Sequence, residues 1–313
     1  MALRLRRNTW DLVVIGGGIA GLTAARHAAR LGMTTALLEP QPAFGGQVAT
    51  VNELDDWPAV DGTSGVGLAA SLAAQARDAG VCIIDQGAVA LSRERGTLLR
   101  VEADRTPFHA QRVLVASGAR LRALGVPGED RLRGKGVSQC ADCDGYFFRE
   151  QDVVVVGGGD SAVQEALILA RTCRSVTLVV RSRLRARRSY RDEAAKTPNM
   201  AFIWDSAVEE ILGASAVEGV RLLNLRTGER SELACSGVFP FVGVTPNTEY
   251  LPQAIERDAS DRVMTDESLR TSMPGVYATG ALRAGYRGDL IHAAGEGAAA
   301  AAAIAGELPQ TYL

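Results

Sequence analysis

The sequence predicts an α/β fold built from two nucleotide-binding, Rossmann-like domains, and three observations predict it. A strand-like apolar run, Asp11-Leu-Val-Val-Ile15, leads into Gly16-Gly17-Gly18-Ile19-Ala20-Gly21 and then into a helical pattern. The arrangement returns further on, where Val153-Val154-Val155-Val156 leads into Gly157-Gly158-Gly159-Asp160-Ser161-Ala162. Between the two stand a pair of cysteines two residues apart, Cys140-Ala-Asp-Cys143, with Asp144 and Gly145 directly behind.

A chain of 313 residues is long enough for two domains with full cores. Its 47% hydrophobic and 22% charged content is that of an ordinary soluble protein, and a net charge of −2 offers no bulk attraction to nucleic acid or a membrane. The basic opening, Met1-Ala-Leu-Arg-Leu-Arg-Arg, lacks the apolar core and cleavage site of a signal peptide. The alanine-rich stretch from Ala293 to Ala305 is shorter than the ~20 residues a bilayer requires and reads as a buried helix. Five cysteines, an odd number with no secretion signal, fit a reducing cytoplasm. Cys82, Cys173 and Cys235 stand alone in apolar surroundings and read as packing thiols.

In the first unit a helix is expected from about Leu22 to Leu31, followed by a strand from Thr35 to Leu38 that ends at Glu39. Gly16 permits the tight turn, Gly18 lets the backbone approach a pyrophosphate, and Gly21 lets the helix pack close to the strand. The phosphates then meet the unpaired N–H groups of the helix start. Glu39 falls where a carboxylate can accept hydrogen bonds from both ribose hydroxyls of an adenosine.

A shift of 141 residues lays Asp11 to Gly18 over Asp152 to Gly159, and sets Ala25, Ala29 and Arg30 against Ala166, Ala170 and Arg171. Ala162 takes the place of the third glycine, an accepted variant. Glu39 aligns with Val180, and Arg181 follows it. Removing the acid and supplying an arginine suits a 2′-phosphate, hence NADPH over NADH. Arg181 opens a basic run with Arg183, Arg185, Arg187, Arg188 and Arg191. Its place after the second strand favours phosphate capture by one or two of them, Arg181 and Arg183, with the rest at the surface. A solvated charged segment and a nucleic-acid patch are the competing readings.

Between the units lie Gly45-Gly46-Gln47, Leu54-Asp55-Asp56-Trp57-Pro58 and the strand-and-turn Val113-Leu-Val-Ala-Ser-Gly118. Ala119 to Pro127 reads as a crossover and Phe241 to Thr248 as the return. A strand at Gly275-Val-Tyr-Ala-Thr-Gly280 and a helix beginning near Leu290 follow. The order places one nucleotide domain, residues 119–245, inside another made of residues 1–118 and 246–313, with the two crossings as the hinge. The cysteine pair can close a small disulfide ring. A dithiol just ahead of a nucleotide-binding turn points to electrons moving from a nicotinamide to a disulfide. Half a zinc site and two unrelated core thiols are the other readings. Zinc wants a second Cys/His pair, and His27, His109 and His292 form none.

Together these residues resemble the low-molecular-weight, bacterial-type thioredoxin reductases, flavoproteins of the pyridine nucleotide-disulfide oxidoreductase class. The likeness spans nearly the whole chain. It is closest from Gly136-Val-Ser-Gln-Cys140 through the second fingerprint to Phe202-Ile-Trp-Asp-Ser-Ala-Val-Glu-Glu-Ile211. A Cys-x-x-Cys-Asp-Gly signature in the second domain marks this branch. The resemblance implies FAD on the first unit, held around Gly16, Gly18, Ala20, Gly21, Glu39, Gly46, Gln47, Asp56, Gly118, Gly280 and Ala281. It implies NADPH on the second, around Gly157, Gly159, Asp160, Ser161, Ala162, Arg181 and Arg183, so that the NADPH domain is inserted into the FAD domain. It further implies a homodimer, thioredoxin or a similar disulfide as substrate, no metal, and a rotation that presents nicotinamide and dithiol to the flavin in turn. Cys143 would exchange electrons with the flavin, Cys140 would attack the substrate disulfide, and Asp144 would manage the protons.

Four motifs depart from the family pattern. Its late Gly-Asp is Gly280-Ala281 here, its Arg-Gln before the last helix is Gly288-Asp289, its Asn before Trp-Pro is Asp56, and the second of two paired arginines is Ser182. One lost charged hydrogen bond is worth ~1.5–3 kcal/mol, so a weaker hold on FAD is expected. His292 reads as a satisfied helix histidine or as a neighbour of the flavin's pyrimidine end. Tyr146-Phe147-Phe148 reads as a docking loop or as core. Two other functions fit the architecture: a flavoprotein oxidase closing a disulfide in a small dithiol with oxygen as acceptor, and a non-catalytic flavin sensor. Arg181 and Asp144 favour the reductase over the oxidase, and the intact dithiol argues against the sensor.

Overall fold

The computed structural model describes residues 9–54, 57–58, 62–94 and 96–308. The chain divides into two compact units, one of residues 1–120 and 245–313 and one of residues 121–244.

The first unit begins with β1 (Trp10–Ile15), α1 (Ile19–Arg30), β2 (Thr35–Leu38), α2 (Gly65–Asp78) and β3 (Cys82–Ile84). An antiparallel meander of β4 (Ala88–Arg93), β5 (Leu99–Ala103) and β6 (Phe108–Val115) follows, and β6 pairs with β1 in parallel. The crossing strand β7 (Ala119–Leu121) leaves this unit. The second unit contains α3 (Glu129–Leu132), α4 (Ala141–Asp144), β8 (Asp152–Val156), α5 (Asp160–Ala170), β9 (Ser175–Val179), α6 (Arg188–Ala194) and β10 (Met200–Ile203). An antiparallel ladder of β11 (Ser206–Leu212), β12 (Gly219–Asn224) and β13 (Arg230–Ala234) precedes β14 (Gly237–Pro240). The returning strand β15 (Val244–Pro246) pairs with β7, and β16 (Val276–Ala278) and α7 (Leu290–Glu307) complete the first unit.

The main sheet of the first unit has the order β3-β2-β1-β6-β5-β4, and β6 shares its outer edge between β5 at its start and β16 at its end. Leu12 and Val14 point into the core beneath α1 and α7, while Val13 and Ile15 fill the opposite face with Leu38, Val113 and Val115. A strand buried on both faces needs a continuous apolar run, which is why β1 carries no polar alternation. Each such side chain contributes about 1.5–3 kcal/mol on burial. The second unit repeats the core pattern in a parallel sheet of order β10-β9-β8-β14.

The 141-residue repeat extends to a shared fastening. The Asp11 carboxylate accepts from the Thr34 amide at 2.8 Å and its hydroxyl at 2.7 Å, tying the start of β1 to the start of β2. In the second unit Asp152 accepts from the Ser175 hydroxyl at 2.7 Å and from Arg174 Nε at 2.8 Å. Hydrogen bonds from Arg174 and then Ser175 hold the Asp152 carboxyl down at about 2.

The alanine-rich helix α7 buries one face only. Ala293, Gly297, Ala300, Ala301 and Ile304 are buried at helical spacing, whereas Ala299 and Ala302 on the other side are exposed. The expected buried helix is thus buried along one face, since α7 covers the α1 side of the sheet and has no layer outside it among the described residues. No described helix is long and apolar enough to cross a membrane.

The packing of α7 on α1 depends on Gly297, where an added Cβ would lie 2.3 Å from the Ala20 carbonyl oxygen. Gly295, two residues earlier, has nothing within 4 Å of the same point. Gly297→Ala is expected to destabilise the chain by about 1–3 kcal/mol, and Gly295→Ala to stabilise it by about 0.5–1 kcal/mol. Urea unfolding midpoints of the two variants decide this, and equal shifts would contradict the packing argument.

Candidate active site

The first nucleotide cradle is built where β1 ends. Gly16 has φ +108°, and a Cβ there would lie 2.4 Å from the Ala116 carbonyl oxygen. A Cβ on Gly21 would lie 1.9 Å from the Gly16 carbonyl oxygen, so the first turn of α1 presses directly on the turn. Gly18 differs: a Cβ there would meet only the Gly45 carbonyl oxygen, at 3.9 Å, leaving the backbone open to a ligand. The Gly45 amide donates to the Gly17 carbonyl at 2.9 Å and brings Gly46 and Gln47 alongside, with the Gln47 amide donating to the Ala119 carbonyl. Gly118 accepts from the Asn247 amide at 3.0 Å at the far end of β6.

Glu39 ends β2 as expected, yet its carboxylate already accepts two backbone amides, Gly17 at 2.7 Å and Gln41 at 2.8 Å. Each oxygen keeps a second lone pair for a ribose hydroxyl. A Cβ on Gly280 would lie 3.1 Å from the Ala20 Cβ, and Ala281 follows half-buried. Behind them Glu296 of α7 accepts the Gly280 amide at 2.8 Å and pairs with Arg283. The sequence reading missed this ion pair. Asp56 lies outside the described residues. The tight turn, the open Gly18 and the acid at the end of β2 fit the adenosine half of a dinucleotide such as FAD. His292 is exposed, and its Nδ1 bonds to Asp289, which caps α7.

The second cradle repeats the first with one change. Gly157 has φ +147°, and a Cβ there would lie 2.3 Å from the Phe241 carbonyl and 2.8 Å from the methyl of Ala162. Gly159 has nothing within 4 Å of a Cβ, and Ser161 is exposed. The basic run folds back over this turn, with the Arg185 and Ala186 amides donating to the Gly158 carbonyl at 2.6 and 3.2 Å. Asp160, the first residue of α5, accepts from the Arg187 amide at 2.6 Å and its Nε at 3.1 Å. Arg187 also lies over the Tyr190 ring, and Arg188 pairs with Asp192 at 3.3 Å. Arg181 and Arg183 are exposed, and their guanidinium groups have no partner among the described residues. Arg185 and Arg191 of the same run are likewise exposed, with no guanidinium partner among the described residues.

Cys140 and Cys143 are joined as a disulfide with Cα atoms 5.3 Å apart. Cys140 caps α4, and its sulfur accepts the Cys143 amide at 3.1 Å. Cys140 is half-buried and Cys143 exposed, which excludes the reading of two core thiols. Asp144 is half-buried, and its carboxylate has no hydrogen bond among the described residues. The aromatic run divides: Tyr146 and Phe147 are each 73% exposed, while Phe148 is buried edge-on against Phe239. Beneath the pair, Glu165 of α5 accepts the Ala141 amide at 2.7 Å. Burial, with a smaller push from Asp142, raises the Glu165 carboxyl to about 7 against that hydrogen bond. Sequence reading missed Glu165. Its one signal was an acid in the helix stripe of Ala162, Ala166 and Leu169.

The remaining three cysteines are not in disulfides. Cys173 and Cys235 are buried, Cys82 half-buried, and burial pushes the Cys235 thiol up to about 12.

The family model for pyridine nucleotide-disulphide oxidoreductases matches residues 10–298. The thioredoxin reductase of Treponema pallidum (strain Nichols) is 37% identical over 298 residues, 95% of this chain and 96% of that protein. Among solved structures, Lactococcus lactis thioredoxin reductase superposes with a TM-score of 0.91 at 36% identity, covering 96% of this chain and 100% of that one. The T. acidophilum thioredoxin reductase superposes with a TM-score of 0.89 at 30% identity, covering 96% and 99%. Two glycine cradles, a disulfide ahead of the second, and likeness along almost the full length lead to one conclusion: the chain belongs to the pyridine nucleotide-disulphide oxidoreductase family.

Proposed function

We propose that this chain is an FAD-dependent thioredoxin-disulfide reductase that draws on NADPH and passes electrons through Cys140 and Cys143 to thioredoxin or a similar disulfide. The observation that carries the reading is the solvent-reachable Cys140–Cys143 disulfide in the unit that also holds the free arginines. Bound FAD supplies the conversion of a hydride into an electron pair that a disulfide can accept. The first cradle holds it through the open backbone at Gly18 and the acid at Glu39, with no carboxylate at Ala281. The second cradle receives NADPH, and Arg181 and Arg183 take its 2′-phosphate.

Once the disulfide is opened, one sulfur attacks the substrate disulfide and expels a substrate thiolate. The other sulfur then attacks the mixed disulfide, expels the second thiolate and closes the ring again. Cys140 fits the attacking role because the Cys143 amide stabilises a thiolate on its sulfur. Asp144, beside the pair and unengaged, hands protons to the departing thiolates. The greater exposure of Cys143 favours a second reading in which Cys143 attacks first. In this proposal the chain works as a homodimer in a reducing cytoplasm, in keeping with its buried, unpaired Cys173 and Cys235.

Anaerobic titration of the purified protein with NADPH is expected to bleach the flavin band, with NADH far weaker. A flavin that NADPH leaves oxidised would defeat the reading. Cys140→Ser and Cys143→Ser are each expected to reduce NADPH-driven disulfide turnover to background, and Asp144→Asn to slow it about 10²-fold. The order of attack follows from which single Ser variant accumulates a mixed disulfide: Cys143→Ser if Cys140 attacks, Cys140→Ser if Cys143 does. Arg181→Ala should raise KM for NADPH about 10- to 100-fold and leave KM for NADH unchanged, from the loss of one charge-assisted contact. Steady-state kinetics with both nucleotides check this, and a parallel rise for NADH would remove Arg181 from the phosphate site.

A further inference from the structure

The geometry points to Glu165 as a positioning residue of the dithiol site, which holds the Cys140–Cys143 turn by the Ala141 peptide and shares a proton with Cys140 as the disulfide opens and closes. This rests on the reading above that the pair is redox-active.

The internal repeat isolates the feature. The 141-residue shift sets Glu165 on Ala24, a fully buried alanine in the apolar face of α1. The fold at this register is therefore satisfied by a methyl group. The second copy spends a carboxylate there, and it is the copy with a cysteine pair packed on its helix. The carboxylate has a specific duty: the Ala141 amide is one of the unsatisfied donors at the start of α4, and Glu165 takes it at 2.7 Å. Ala141 is 2% exposed, so water cannot replace that acceptor without opening the turn. The carboxylate thus lies one peptide unit from Cys140, whose own amide goes to Ser138 Oγ at 3.1 Å.

No cation offsets Glu165 among the described residues. From α4, Asp142 acts on it, and Asp144 and the two cysteines belong to the same short turn. From α6 the charged side chains Arg188, Arg191, Asp192 and Glu193 are exposed and do not shift it. From β8 and β9 the only acid is Asp152, held by Arg174. Burial first and Asp142 second leave Glu165 titrating at about 7, able to gain or lose a proton under working conditions.

The coupling balances as follows. Opening the disulfide breaks the Cys140–Cys143 bond and adds two electrons. One proton goes to the Cys143 sulfur, and Cys140 is left as a thiolate. That new negative charge opposes ionisation of the nearby carboxylate, so Glu165 takes up a second proton from solvent. When Cys140 attacks a substrate disulfide, its charge departs on the expelled substrate thiolate, and Glu165 is free to release its proton. Conversely, an ionised Glu165 holds Cys140 in the thiol form.

The test uses the full chain reduced with dithiothreitol, freed of reductant under nitrogen and pulsed with iodoacetamide across pH 5.5–9, with Cys140 alkylation read by mass spectrometry. Glu165→Gln keeps an oxygen for the Ala141 amide and removes the titration. Its Cys140 should alkylate about three- to tenfold faster near pH 8 than in the wild type, along a single-step profile where the wild type shows two. Infrared difference spectra of wild-type reduction near pH 7.5 provide a readout that needs no variant. A carboxylic-acid carbonyl band should be gained on reduction and be missing in Glu165→Gln. Superimposable alkylation profiles, or no such band in the wild type, would reduce Glu165 to a structural anchor and overturn the inference. NADPH-driven flavin bleaching is scored separately, so failure of the reductase reading would be seen there and not in the alkylation profiles.

Discussion

The interaction on which both units depend is the contact between the first turn of a helix and the strand end that precedes it. At Gly21 the approach is so close that a Cβ would sit 1.9 Å from the Gly16 carbonyl oxygen. That contact forces the strand to stop, turns the free amides of the helix start toward one spot, and leaves Gly18 bare beside them. In the second copy the contact survives with Ala162 because Gly157 gives up its own side-chain space to the Ala162 methyl, 2.8 Å from where its Cβ would be. The same device thus tolerates one methyl group, but only on one side of the turn.

The two copies diverge where their ligands do. Both fasten strand to strand by an aspartate and a hydroxyl, Asp11 with Thr34 and Asp152 with Ser175. At the end of the second strand the first copy presents Glu39, drawn inward by the Gly17 and Gln41 amides. The second presents Arg181 and a loop that returns to the Gly158 carbonyl. On the function proposed above, divergence in a shared frame would let one chain hold two dinucleotides without exchanging them: an acid that accepts from ribose hydroxyls repels a 2′-phosphate, and exposed guanidinium groups attract one.

Much of this was legible in the sequence because its signals are local. The glycine spacing, the apolar runs of β1 and β8, and the Cys-x-x-Cys motif each specify a turn or ring within a few residues. What was not legible depends on contacts distant in the chain. Asp160, which the resemblance set among the residues around NADPH, also clamps Arg187, 27 residues on. Tyr146 and Phe147 could not be told from Phe148 by composition, since only the packing of Phe239 and the bare Gly237 decide which ring goes inside. The Glu296–Arg283 pair beside Gly280 joins a helix to a loop across 13 residues and carries no motif at all. The departure at Ala281 therefore has a structural context that single-position comparison could not supply: the backbone there is still held by a carboxylate, delivered from α7.

The same logic of burial sorts the cysteines. A thiol reacts as its thiolate, and burial in apolar surroundings withholds that form. Cys235, pushed to about 12, and Cys173, also raised, are chemically silent while filling the core. The Cys140–Cys143 pair sits instead on a short helix at the surface, among backbone amides, the Ser138 hydroxyl and carboxylates. Backbone amides favour a thiolate, whereas Asp142, Asp144 and Glu165 oppose one, so the reactivity of the pair is set by a contest between fixed dipoles and titratable acids. A site tuned in this way responds to pH and to its own redox state, which a site built on a fixed lysine or arginine would not.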